Sequence, residues 1–394
     1  MNRDSDKTLS AGKADVNALD RSVFKRLGKA GAKSAEPNWM GDSGKGGQFV
    51  RMSIDPITVG TFLSGKLSVI ETVNGLWAQG AVPCGIETVI LLPEGTMESE
   101  LRRMEDQIAV AAMREGVSVL GGHTEVTSAV SRPVIIGSGI GMRKDLGHGY
   151  CQSEVRAGFD GHVILMTSFA GLEGSAILGF EKEKELSGRF SATLVNTVKE
   201  AAYHLSVRPA AEVILDAFCK RVLEDETPET FCKNVLEEKT PEMRTHSGDA
   251  PEENMPRASV PGRRESSGHA VRGSSPPVLV NLSEGGFYAG LWKLAEKTHC
   301  GVDVDLKKVP IFQETIEIAN FFDIDPYWME SAGSLLAAIP AGKAEEVLTR
   351  LAESSIPAAV IGTLNDSNQK IIRNGDEMRF LDRPQADSLR KILI

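Results

Sequence analysis

Residues 121–125 read Gly-Gly-His-Thr-Glu, so two glycines, an imidazole, a hydroxyl and a carboxylate stand side by side. Gly121 and Gly122 let the backbone turn tightly and approach a ligand closely. The run follows the apolar stretch Val117–Leu120, which is predicted to be a strand, and ligand sites in α/β sheets gather at strand ends. His123 could bond a phosphate or act as a general acid/base. Glu125 could act with it or hold a hard divalent cation, and Thr124 adds a hydroxyl. His123 itself is a poor ligand for a hard cation, because imidazole suits softer metals. The plainer alternative is a strand-to-loop turn with solvated polar residues and a packed histidine.

Three other segments carry suitable chemistry. Gly41-Asp42-Ser43-Gly44-Lys45-Gly46-Gly47 could cradle a phosphate, with Lys45 reaching it. It is not a P-loop, because Gly46 follows Lys45 where Ser or Thr would hold the metal. A flexible glycine loop is the alternative. Ser283-Glu284-Gly285-Gly286 precedes a predicted helix, whose first amides can bind an anion. Alternatively, Ser283 is a plain N-cap. Asp55, before Pro56, is either a metal ligand or a turn former.

Read in order, Ser53–Thr58, Asn74–Pro83, Leu91–Thr96, Gly121–Glu125, Gly171–Gly174 and Ser283–Gly286 resemble the motifs of the AIR synthetase superfamily. That superfamily includes aminoimidazole ribonucleotide synthetase, thiamine-monophosphate kinase, selenophosphate synthetase and HypE. The resemblance is nearest the HypE-like branch and runs from about Asp42 to Phe380, apart from one insert. It implies a two-domain α/β fold, with a ferredoxin-like N-terminal domain and a mixed-sheet C-terminal domain. It also implies ATP and Mg²⁺ as cofactors and phosphorylation of an oxygen on a small-molecule or protein acceptor. A homodimer built through the N-terminal strands and a hydrogenase maturation partner would follow.

By the same resemblance, Asp42, Asp55 and Glu125 would hold Mg²⁺. Lys45, Asn74, Gly121, Gly122, Thr124, Ser283, Glu284, Gly285 and Gly286 would hold nucleotide, and His123 and Glu125 would serve catalysis. The chain departs from the pattern at Ser43, Gly75 and His123, where the family carries acids. It departs again at Val280-Asn281, where the family carries His-Asp. The run Arg390–Ile394 has no cysteine of the kind on which HypE performs its chemistry. Two further readings therefore stand beside an ATP-dependent enzyme: a catalytically impaired nucleotide-binding module, and a thiamine-monophosphate kinase-like enzyme.

The elements that must position these residues follow from periodicity. Apolar residues recur at helical spacing over Lys66–Gln79 and Glu98–Glu115, the latter with Thr96 as its expected N-cap. Ile86–Leu92, Val117–Leu120 and Pro133–Ile140 read as strands, in an order taken as β-α-β-β-α-β. The expected organisation is a frayed segment 1–20, one domain over 21–150 and a second over 158–394. Val163–Thr167, Val278–Asn281, Leu335–Ile339 and Ala358–Thr363 are the strands expected in the second. Asn374-Gly375 between two apolar runs is a hairpin signal.

Bulk properties narrow the function. A net charge of −10 with pI near 5.4 argues against a general nucleic-acid binder. No run reaches membrane-spanning length and the first residues lack an apolar core, so no membrane association is expected. Five dispersed cysteines suit a reducing cytoplasm. Residues at about 240–275 are rich in proline and charge and poor in large apolar side chains, and so read as a disordered insert. Limited proteolysis is therefore expected to cut first between Lys239 and Ser275, as mass spectrometry of the fragments would show. Protection of that segment from hydrogen exchange as strong as that of the core strands would contradict the reading.

Overall fold

The computed structural model describes residues 50–143, 161–218 and 277–393, together with Leu19 and Phe159. Asp42, Lys45 and their glycine loop lie outside the described residues. So do the insert at about 240–275 and the expected boundaries near residues 21, 150 and 158.

The first sheet has the order β1-β4-β2-β3. Its strands are β1 (Val50–Ile57), β2 (Ala81–Leu92), β3 (Ser118–Val126) and β4 (Val134–Arg143), with helices α1 (Ser64–Trp77) and α2 (Glu98–Glu115) on one face. β4 pairs antiparallel with β1 and β2, while β2 and β3 run parallel. The chain order is thus β-α-β-α-β-β, a difference from the expected order. A parallel pair needs a crossover, and α2 supplies it.

α2 matches its expected bounds. It is buried along Met104, Ile108, Ala111 and Ala112, begins with Glu98 and Glu100, and closes on Gly116 in the left-handed conformation. Thr96 does not cap it. Met97 occupies the N-cap position, and the Thr96 hydroxyl donates to the Pro93 carbonyl at 2.8 Å, closing the preceding turn.

Helical spacing implies one buried face for α1. Instead every residue but Lys66 and Gly75 is buried. Its short polar side chains bond the helix's own backbone, Ser68 Oγ to the Gly65 carbonyl and Thr72 Oγ1 to the Ser68 carbonyl, both at 2.8 Å. The helix lies close against β4 because that strand presents glycines on its inner face. A Cβ on Gly139 would stand 2.6 Å from Thr72 Cγ2, and one on Gly137 would overlap Thr72 Oγ1 and the Ser68 carbonyl.

The second sheet has the order β11-β10-β7-β9-β5-β8-β6. Its strands are β5 (His162–Thr167), β6 (Val278–Asn281), β7 (Gly301–Asp305), β8 (Leu335–Pro340), β9 (Ala358–Asn365), β10 (Lys370–Asn374) and β11 (Glu377–Phe380). Only β7 and β10 pair in parallel. The expected hairpin at Asn374-Gly375 joins β10 to β11. Around the sheet lie α3 (Leu172–Glu181), α4 (Glu183–Ser187), α5 (Ala192–Glu200), α6 (Arg208–Phe218), α7 (Gly286–Thr298), α8 (Gln313–Phe321), α9 (Ala344–Glu353) and α10 (Arg390–Leu393).

The two sheets share cores. Val69, Val73 and Trp77 of α1 join one cluster with Leu165, Ile214, Leu279 and Leu335. Leu67 and Ile70 join another with Leu172, Ile177 and Leu389. α1 is therefore the layer between the halves. Among the described residues no helix is long and apolar enough to cross a membrane.

Gly137→Ala is expected to lower the unfolding free energy by about 1–3 kcal/mol through overpacking. Gly342→Ala, which meets nothing within 4 Å, serves as the near-neutral control. Urea titrations of the two variants check it.

Candidate functional site

Gly121–Glu125 does not follow a strand end; it lies inside β3, an edge strand exposed along its whole length. Gly121 pairs with Glu87 and Gly122 with Thr88. Thr88 is buried and Glu87 exposed, so Gly122 and Thr124 belong to the helix-covered face, and Gly121, His123 and Glu125 to the outer face. His123 Nε2 stands 3.3 Å from Glu125 Oε2, with side chains 63% and 53% exposed. This is a solvated pair whose members stand two residues apart on one strand face.

Asp55 lies on the inner face, opposite Gly137 in the register with β4, and accepts a 2.9 Å hydrogen bond from Ser53 Oγ. A Cβ on Gly75 of α1 would stand 3.5 Å from Asp55 Oδ2. Position 75, where the family pattern carries an acid, therefore does meet Asp55 in space. That same Cβ would overlap Ser53 Oγ, so the packing leaves no room for a side chain there.

Asp55 and Glu125, each expected to hold Mg²⁺, do not come together within the chain. β1 and β3 are opposite edges of the sheet, about 14 Å apart by three strand spacings. The two side chains also point to opposite faces. Among the described residues no group of three His, Cys, Asp or Glu side chains has metal-holding geometry.

Asn74 is fully buried and is engaged by the polypeptide itself. Its Nδ2 donates to the Leu205 carbonyl at 2.8 Å, and its Oδ1 accepts from the Val207 amide at 2.9 Å. It ties α1 to the segment before α6, with its amide nitrogen and its carbonyl oxygen each bonded to backbone.

At Ser283–Gly286 the glycines are required. Gly285 and Gly286 have φ of 82° and 60°, and a Cβ on Gly286 would overlap the Met329 carbonyl. Ser283 does not cap α7, whose N-cap is Gly285. The Gly285 amide donates to Asp387 Oδ2 at 2.9 Å, and Glu284 pairs with Arg390 at 2.8 Å. The loop thus holds an anionic group supplied by the chain's own C-terminal segment. That segment also reaches the loops beside the first sheet, through Arg390 to Thr58 Oγ1 at 3.2 Å and Arg132 to the Leu393 carbonyl at 3.1 Å.

The loops Gly171–Gly174 and Ser331–Ser334 interlock. The Gly171 amide donates to Ser331 Oγ at 2.8 Å, and the Ala332 amide to Glu173 Oε2 at 3.0 Å. Around this contact the structure gathers acids that sequence reading missed: Glu71, Glu330 and Asp387, with Glu173 among them. Burial, reinforced by neighbouring carboxylates, holds Glu71, Glu173 and Glu330 well above the usual carboxylate range. Burial also pushes Asp387 up to about 7, against the pull of the Leu389 and Gly285 amides. One signal in the sequence could have found Glu71: apart from Lys66, it is the only charge in the run Ser64–Trp77.

A buried acid cluster, interlocked glycine loops and a helix-covered sheet joined through α1 define a mixed α/β protein of two sheets. The sequence matches the AIR synthase related protein family, by its N-terminal domain over residues 45–143 and its C-terminal domain over 280–373. The chain belongs to that family, near its HypE branch.

It is 23% identical over 335 residues to a hydrogenase expression/formation protein of Methanocaldococcus jannaschii, covering 83% of this chain and 78% of the relative. It is also 23% identical over 302 residues to carbamoyl dehydratase HypE of Rhodobacter capsulatus, covering 76% and 68%. Among solved structures, the HypE–HypF complex superposes with TM-score 0.62 at 19% identity, covering 92% of this chain and 100% of that one. HypE in complex with ATP gives 0.58 at 20%, covering 96% and 97%. ThiL complexed with AMPPCP and TMP gives 0.57 at 11%, covering 95% and 98%. At these identities the structures establish a shared fold.

Asn74→Ala is expected to destabilise the fold by at least about 1–3 kcal/mol, because it leaves a buried carbonyl and a buried amide without partners. Denaturant unfolding checks it, and an unchanged midpoint would refute the structural role.

Proposed function

We propose that the chain is an ATP-using protein of the HypE-like kind. It would transfer a phosphoryl group, with Mg²⁺, to an oxygen of a small molecule or protein during maturation of a hydrogenase or related metalloenzyme in the cytoplasm. The observation that carries this reading is the meeting of Asp55 with position 75, which reunites two separate motif segments on the inner face of the first sheet. The family match and the fold shared with an ATP-bound HypE support it. The HypE–HypF complex supports a protein partner.

Mg²⁺ keeps several waters and needs only one or two carboxylates when phosphates complete its shell. Asp55 suits that role, with Ser53 Oγ orienting it. Asp42 and Lys45 stay in the proposal as contributors from the preceding loop. Gly122 and Thr124 remain nucleotide contacts on the inner face. Glu125 and His123 are not proposed to share the Asp55 site.

A second reading is favoured by one observation. The Ser53 hydroxyl fills the space that an acid at position 75 would need, so turnover would be slow and the protein would act mainly by binding nucleotide.

A homodimer is also proposed. Met52 and Ile54 of β1 and Val119 and Leu120 of β3 are large exposed apolar side chains on the two edge strands. β2 and β4 are internal and already bonded on both sides. Pairing between copies would therefore use β1 or β3. Light scattering is expected to give about twice the 42.4 kDa chain mass, and a single-chain mass at micromolar concentration would exclude it.

Calorimetry tests the nucleotide reading. Asp55→Asn is expected to weaken Mg²⁺-dependent ATP binding about tenfold, an effect of about 1.4 kcal/mol. Glu125→Gln should leave affinity unchanged. Ser53→Ala with Gly75→Asp is expected to raise phosphate release above the wild type. Affinity insensitive to Asp55→Asn would move the site elsewhere.

A further inference from the structure

We propose that the outer flank of α2 is a docking surface for an acidic segment of a protein partner. Arg103, Gln107, Val110 and Arg114 recur at helical spacing and share one ridge of that helix, beside the buried ridge of Met104, Ile108 and Ala111. Each end of the ridge carries cations laid over an aromatic ring. The Arg103 guanidinium stands 4.5 Å from the Phe62 ring centre, Phe62 stacks on Phe180 at 5.5 Å, and Lys199 stands 5.1 Å from the Phe180 ring centre. At the other end Arg114 and Lys66 stand 5.8 and 5.1 Å from the Tyr203 ring centre. Phe62, Val110, Met113 and Tyr203 are exposed, Met113 by 72% and Tyr203 by 66%.

Part of this arrangement joins the two halves of the molecule. Arg103 and Gln107 donate to the Phe62 carbonyl ahead of α1, and Lys66 of α1 donates to the Ala202 carbonyl after α5. Those contacts leave the charge unneutralised. The chain has a net charge of −10, yet among the described residues Lys66, Arg103 and Arg114 form no ion pair. Lys199 pairs with Glu183 at 2.6 Å. Burial, and then the like charge of Arg114, holds the Lys66 ammonium below the usual lysine range against the pull of Glu115. A carboxylate arriving beside these two cations would relieve their repulsion.

The chemistry of the face fits a protein segment. A guanidinium stacked on a ring is weakly hydrated, so covering it costs less than covering a free ammonium. Exposed Arg, Tyr, Phe and Met are the residue types that protein interfaces favour. The helical rise separates Arg103 from Arg114 by about 16 Å. The partner segment would therefore carry carboxylates about that far apart, roughly five extended residues, with apolar side chains between them for Val110 and Met113. The proposal does not rest on the nucleotide reading, and its test omits ATP and Mg²⁺.

Fluorescence anisotropy tests it with a labelled peptide of repeated Glu-Glu-Leu-Phe and a second peptide in which Gln replaces Glu. The wild type is expected to bind the Glu peptide about tenfold more tightly than the Gln peptide, with an affinity that falls as salt rises. Arg103→Glu with Arg114→Glu should weaken that binding about tenfold or more. Lys307→Glu with Lys308→Glu, exposed on the turn after β7, changes the net charge equally and should leave it unchanged. If the first double variant fails to fold, Arg114→Glu alone decides, with a loss of about fivefold expected. Equal affinity for the two peptides, or equal loss in the variants of both turns, would overturn the proposal. So would binding to phosphatidylserine vesicles without binding to the Glu peptide, which would make the face a membrane contact. A lower mass by light scattering for Arg114→Glu than for the wild type would make it a contact between copies and overturn it as well.

Discussion

The close seat of α1 on β4 is the constraint from which the rest follows. Gly137 and Gly139 remove side chains where Ser68, Thr72 and Leu76 press against the strand. A helix normally stands off a sheet by the depth of the intervening side chains. Here the backbones approach directly, and polar residues along the helix must find partners inside the protein. Ser68 and Thr72 bond the helix backbone and Asn74 the segment before α6, while Glu71 is buried with neither carboxylate oxygen hydrogen-bonded. The same seat places Gly75 over Asp55.

The polar interior created this way is strongly acidic. Glu71, Glu173, Glu330 and Asp387 are all buried, and the cation paired most directly with this region is Arg390 on Glu284. Buried charge of one sign is tolerated only when it is neutralised by protons or bonded to donors. Both devices are present. Backbone amides of Gly285, Leu389 and Ala332 point at carboxylates, and the groups lacking enough donors hold elevated affinities for protons. The C-terminal segment contributes Asp387 to this arrangement and in doing so binds the glycine loop before α7. An anion seat and its occupant are thus built from the same chain.

The Gly-Gly-His-Thr-Glu run shows how strand parity divides a motif. Alternate residues face opposite sides, so Thr124 and Gly122 look toward the helices while His123 and Glu125 look outward beside the exposed apolar residues of the sheet. Five adjacent residues therefore serve two surfaces: one belongs with Asp55 and the nucleotide reading, the other with the edge and outer face where a second copy would pack.

Local pattern was enough to determine α2 to the residue, β6 to the residue, the hairpin at Asn374-Gly375 and the family resemblance. Each of these rests on signals carried within a few neighbouring positions: helical spacing, a short apolar run, a turn dipeptide, an ordered set of motifs. What tertiary structure alone decided is which of those motifs touch. The sheet order sent Asp55 and Glu125 to opposite edges, and parity turned them to opposite faces, although both sit in motifs that read alike as metal sites. Asn74 reads as a ligand contact in the linear motif and becomes a backbone tie because a strand of glycines draws its helix inward. Glu71, a single acid in a mostly apolar run, is held well above the usual carboxylate range by its burial and by the charge of Asp55, and only the packed fold supplies both. Charge, burial and proximity between distant segments are properties of the packed chain, and they set the protonation of its interior.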